Sequence, residues 1–165
     1  MPGYSGEAMT RSVYNIMQEP VGETYRALVA FCSNHATEML LVVRDSKLYE
    51  DAARSTIPAI EALGASCIDA SEWPGTQLTH GGTAHIYHVP VTYESIEFVS
   101  NTANSLYDWL FPALPEDLCF MRNDGEEILA SISHEEDAYL TLTEDEHNEL
   151  IMDHSLRLLN IERGR

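Results

Sequence analysis

The sequence predicts an α+β domain: a mixed β-sheet that ends in a C-terminal antiparallel meander and is flanked by amphipathic helices. Three observations predict it. Helix-period and strand-period segments interchange along the chain. The last third reads strand–turn–strand–turn–strand before a capped helix. The 165 residues, 44 % apolar and 22 % charged, suffice for one buried core.

The elements follow in order. Residues 1–20 carry Gly3, Gly6 and Pro20 without a sustained period and are expected to form a loose N-terminal arm, leaving 21–165 as the single globular domain. Tyr25, Leu28, Val29 and Cys32 fall at i, i+3, i+4 and i+7, one face of a helix over roughly 22–35. The apolar run Met39 to Val43 reads as a strand buried on both faces. Ser46 is the expected N-cap of a helix reaching Arg54, and a second short helix contains Pro58 and ends at Gly64. Ser66 to Ala70 reads as a short strand, Trp73-Pro74-Gly75 as a turn, and about 84–91 as a β-branched and aromatic strand. Thr92 is expected to cap a helix whose stripe is Ile96, Val99, Ala103 and Leu106, finished by Pro112 and Pro115. Leu118 to Arg122 and Ile128 to Ser133 form a hairpin about Asn123-Asp124-Gly125. His134 to Asp137 then turns the chain into Ala138–Leu142. Thr143 and Glu146 form a capping box for the last helix, with Leu150, Ile151, His154 and Leu158 on one face.

Charge is the most unusual property. Asp and Glu number 27 against 9 Lys and Arg, a net charge of −18, and between Glu116 and Asp153 thirteen carboxylates accompany one cation, Arg122. Such a field repels nucleic acid and anionic lipid and attracts a basic protein or a cation. Eight arginines against one lysine is also the balance of salt-adapted proteins. Adaptation would spread carboxylates over the surface, whereas a binding face would concentrate them. Met1 to Pro20 shows no signal peptide, and no apolar run is long enough to span a bilayer. Cys32, Cys67 and Cys119 lack C-x-x-C spacing and sit in apolar contexts, so buried free thiols in a reducing cytoplasm are expected.

Chemical motifs are sparse. His85 and His88, three apart on a strand, point to opposite faces and do not converge on one ion, while His80 is a loop residue. His134-Glu135-Glu136-Asp137 places an imidazole and three carboxylates in one turn, suited to a hard cation or a general base. The weak metal candidates are therefore His134, Glu135 and Asp137. H-E-x-x-H fails at Ala138, and no calcium loop, G-x-S-x-G or phosphate-cradling loop is present. No cofactor is expected. Trp109 is expected to close a helix end over the core, and Trp73 is either a core or an interface residue.

Leu106-Tyr107-Asp108-Trp109, Leu114-Pro115-Glu116-Asp117-Leu118-Cys119-Phe120, Asp124-Gly125 and His134-Glu135 resemble a pattern of small uncharacterised bacterial proteins. Trp73-Pro74-Gly75-Thr76 resembles an upstream part of that pattern, and Ile128 stands where the pattern often has tryptophan. The resemblance implies a bacterial cytoplasmic protein and no known activity. In size and acidity the chain is also similar to bacterial immunity proteins, compact inhibitors of basic toxins.

The leading expectation is a non-enzymatic binding protein. Its acidic face would comprise Glu116, Asp117, Glu126, Glu127, Glu135, Glu136, Asp137, Glu144, Asp145 and Glu149, docking a basic partner such as a toxin nuclease or another nucleic-acid-binding protein. The alternatives are an enzyme or metal-binding protein using the His134–Asp137 turn, and a structural domain with a salt-adapted surface.

Overall fold

The computed structural model describes residues 9–45 and 49–165, apart from the side chains of residues 52 and 53. One eight-stranded sheet organises it. Its strands are β1 (Ser12–Ile16), β2 (Glu38–Val43), β3 (Ser66–Ala70), β6 (Ala84–Pro90), β7 (Glu116–Met121), β8 (Glu127–Ile132), β9 (Asp137–Leu142) and β10 (Ile161–Arg163). Their order is β10-β1-β9-β8-β7-β2-β6-β3. The two-stranded ribbon β4 (Glu72–Trp73) and β5 (Thr76–Gln77) stands apart from this sheet. The helices are α1 (Glu23–Ser33), α2 (Asp51–Arg54), α3 (Thr56–Ala62), α4 (Tyr93–Thr102) and α5 (Glu144–Met152).

The α+β class and the C-terminal meander β7-β8-β9 are as the sequence predicts. Every ladder is antiparallel, where a mixed sheet was expected. β2 and β3 do run in one direction, but β6 is inserted between them and pairs with both.

The period-2 alternation of this sheet makes two cores. Met39, Leu41, Phe120, Leu129 and Leu140 face the helices and pack with Leu28, Val29, Val99 and Trp109. Leu40, Val42, Ile86, Cys119 and Ala130 face the other way, onto Trp73 from the ribbon. Burying a leucine- or phenylalanine-sized side chain stabilises by roughly 1.5–3 kcal/mol, so Trp73 matters as the lid of the second core.

Local chemistry sets the helix ends. Thr92 accepts from the Ser95 N–H and Ser95 reciprocates to the Thr92 N–H, the capping box that stops the chain from continuing β6. Thr143 and Glu146 form the predicted second box. The stripe ending α4 differs from expectation, because the helix stops at Thr102 and Leu106 is buried from a short 3-10 helix at Leu106–Asp108.

Three further expectations are corrected. The loose arm contains β1, paired on both sides with Tyr14 and Ile16 buried; residues 1–8 lie outside the described residues, as does the proposed cap Ser46. The last helix ends at Met152, where the Asp153 side chain accepts from the Ser155 N–H and starts a 3-10 turn. That turn buries Leu156 and leaves Ile151 and Leu158 exposed. Cys67 is exposed, whereas Cys32 and Cys119 are buried, and all three are free thiols. Among the described residues, no helix is long and apolar enough to cross a membrane.

Candidate functional site

The register divides the C-terminal acids between two ends of the sheet. Val42 pairs with Glu116 and Ile132 with Asp137, so one end holds Glu116, Asp117 and the His134–Asp137 turn. The opposite end holds the β7–β8 turn with Asp124, Glu126 and Glu127, and α5 with Glu144 and Asp145 in its first turn and Glu149 further along. Six-residue strands separate the two ends by roughly 20 Å. A single acidic face is therefore corrected to two acidic ends.

Glu116 and Asp117 also leave the proposed docking surface, being 4 % and 0 % exposed. They begin a strand that is buried along its whole length. Glu126 pairs with Arg11, and Glu127 accepts from the Tyr139 hydroxyl. Glu149 pairs with His35, while Glu135, Glu136, Asp137, Glu144 and Asp145 are exposed.

The buried acids build a network around Asp117. Its Oδ2 accepts from the Trp73 indole N–H at 2.9 Å, and its Oδ1 from the Ser133 backbone N–H at 2.9 Å. Its own N–H donates to the Trp109 carbonyl. Asp117 takes a φ of +59°, the left-handed region that non-glycine residues seldom occupy and that concentrates at functional sites. Beside it, Glu116 accepts from the Arg44 Nε at 3.0 Å. The Arg44 guanidinium lies 5.3 Å from the centre of the Trp73 ring, within cation–π range. Burial pushes the Glu116 carboxyl up despite Arg44.

His134, on the turn after β8, completes the site. Donor atoms of Glu116, Asp117 and His134 all lie within 4.8 Å of one another. Beside them opens a pocket of about 380 Å³ whose polar wall includes Arg44, Thr76, Gln77, Thr79, His134 and Glu135. Gly75, at φ +83°, lets the ribbon lie against the sheet, since a Cβ there would stand 2.8 Å from Ile132. Two buried hydroxyls next to this constellation, Thr76 Oγ1 and Ser133 Oγ, have no hydrogen-bond partner. A larger depression of about 770 Å³, between α1 and the His154–Leu156 turn, holds no cluster of metal-ligating groups among the described residues.

Of the predicted metal candidates, only His134 joins the cluster. Glu135 stands 3.6 Å from it on the pocket wall, and Asp137 enters the ladder opposite Ile132. The partners of His134 come from β7, eighteen and seventeen residues earlier in the chain. Arg44 is not among the expected site residues, and Trp73, expected as either a core or an interface residue, is buried in the second core and bonded to Asp117. Two carboxylates running directly into the apolar run from Leu118 were the available signal, because strand alternation offers no solvent face there. His85 and His88 point to opposite faces as expected, toward Asp69 and Glu38 respectively.

Trp73, Gly75, Thr76, Trp109, Glu116, Asp117 and His134 all belong to this network or its walls. No family model matches the chain, and comparison with curated proteins and with solved structures finds no match.

Proposed function

We propose that the protein binds a divalent cation through Glu116, Asp117 and His134 and presents it to a small polar molecule in the adjoining pocket. The observation that carries this reading is a charge imbalance. Two adjacent carboxylates are withdrawn from water, and Arg44 is the one guanidinium paired with them among the described residues. Buried charges are paired or coordinate metals, because isolated ones are too costly to desolvate. Two carboxylates and one imidazole suit a manganese- or zinc-like ion, and three protein ligands leave positions open for a water or substrate oxygen. Arg44 holds one oxygen of Glu116 and stands ready for an anionic group of the ligand.

Calorimetric titration of chelator-treated protein with Mn²⁺ tests this. Saturable binding at one equivalent, weakened at least tenfold by Glu116→Gln and by His134→Ala, supports the proposal. Absence of binding, or binding indifferent to both substitutions, contradicts it.

A second reading keeps the acidic docking role, in the manner of an immunity protein, and moves it to the opposite end of the sheet. It is supported by the exposed Glu144, Asp145 and Glu149 of α5, close to the β7–β8 turn through the Arg122–Glu146 pair. The partner would be a basic protein in the cytoplasm, a location favoured by three free thiols. Its test is capture of a partner from the parent cell whose association slows steeply with salt. Capture insensitive to salt and to Glu144→Gln with Asp145→Asn counts against it.

A further inference from the structure

A second cluster lies on edge strand β3, on the helix-bearing face of the sheet. Cys67 and Asp69 share one face of β3, and the register sets them directly opposite Tyr87 and His85 of β6. His85 Nδ1 and Asp69 Oδ1 are 2.5 Å apart. Donor atoms of Cys67, Asp69 and His85 all lie within 4.8 Å of one another, and all three residues are exposed. Tyr87 borders the thiol and reaches Glu61 with its hydroxyl at 3.5 Å. This cluster is separate from the pocket: two strands, β2 and β6, lie between β3 and β7, and Ala84 and Ile86, which flank His85, face the Trp73 side.

We propose that Cys67, Asp69 and His85 form a binding site for a thiophilic divalent cation of the zinc class. A cross-strand His–Asp pair would serve as an ordinary ion pair without a thiol on the same face. The added sulfur changes the chemistry, because thiolate with imidazole selects zinc-like ions, whereas magnesium and calcium prefer oxygen. Tetrahedral zinc with ligand bonds of about 2.0–2.3 Å places its donors roughly 3.5 Å apart. The cluster reaches that spacing by turning exposed side chains, while the antiparallel ladder holds their Cβ atoms in place. Three protein ligands fill three positions, and the fourth faces solvent. Binding displaces the Cys67 thiol proton to solvent as the sulfur–metal bond forms.

Co²⁺ is the probe, because a cobalt–thiolate bond absorbs in the near ultraviolet and oxygen or nitrogen ligands alone do not produce that band. The other two thiols, Cys32 and Cys119, are 0 % exposed, so the band reports Cys67. Titrating the reduced full-length protein should raise it to a saturating plateau, with Zn²⁺ displacing Co²⁺. Cys67→Ser should abolish the band, and Asp69→Asn or His85→Ala should weaken Co²⁺ binding at least tenfold. Glu116→Gln, in the Glu116–Asp117–His134 cluster, should leave the band intact, which separates this site from the one proposed above. No band in the wild-type protein, or a band that survives Cys67→Ser, overturns the proposal. All three substitutions are at exposed positions, and an unchanged thermal midpoint checks that each variant is folded.

Discussion

The indole N–H of Trp73 donates to the Asp117 carboxylate at 2.9 Å, across 44 residues of sequence. This bond ties the ribbon β4–β5 to the first residues of β7, so the lid of the second core and the buried carboxylates of β7 are one structure. Removing the carboxylate strands two donors, the Trp73 and Ser133 N–H groups. Each buried group left unpaired costs about 1–3 kcal/mol. Asp117→Ala should therefore lose about 2–5 kcal/mol in urea unfolding. Asp117→Asn should lose clearly less, since asparagine tolerates positive φ and its carbonyl still accepts one bond.

Gly75 tests the same junction from the other side. Its Cβ would meet Ile132 at 2.8 Å on a backbone at φ +83°. Gly75→Ala should cost about 1–3 kcal/mol through crowding and strain and shift Trp73 emission to longer wavelength as the ribbon lifts. Unchanged emission and stability would show that the ribbon is not held as described.

A buried relay secures the helix side. The Trp109 indole donates to the Tyr25 hydroxyl, which donates onward to the Val99 carbonyl, both at 2.8 Å. Tyr25→Phe keeps the ring and leaves the indole N–H and the carbonyl unpaired, a loss of about 1–3 kcal/mol. Denaturant midpoints at constant slope measure it.

The pH dependence of stability has two opposing contributions. At Glu146, burial raises the carboxyl, but the bonds from Arg122 and the Thr143 N–H outweigh it and hold the group below its ordinary value. Its stabilisation is present above the unfolded value, about pH 4.3, and is lost as pH falls through the folded value. Glu116 has the opposite sign: burial raises its carboxyl, so a penalty develops as pH climbs from the unfolded value to the folded one. Arg122→Ala should cost about 3–5 kcal/mol near neutrality and progressively less in acid. Glu116→Gln should stay within about 1 kcal/mol of wild type and remove the penalty at Glu116. Unfolding curves from about pH 3 to 8 separate the two.

Much of the fold was legible because periodicity and caps agree. The stripe Tyr25–Cys32, the run Met39–Val43, and the boxes at Thr92 and Thr143 each state their element locally. β1 was hidden because five residues with two buried side chains carry little periodic signal, and its partners lie in β9 and β10. The site was only half legible. His134 stood out as a lone imidazole in an acidic turn, but its partners depend on pairing between β2, β7 and β8, which no local pattern encodes. Charge density along the chain was misleading for a related reason: a meander returns consecutive turns to opposite ends of the sheet.

The most direct test of the cation site is Mn²⁺ binding measured by electron paramagnetic resonance, comparing wild type with Glu116→Gln and His134→Ala. Saturable loss of the free-ion signal at one equivalent in wild type, weakened at least tenfold in both folded variants, is the predicted result. Retention of the full free-ion signal by the wild-type protein would contradict the account.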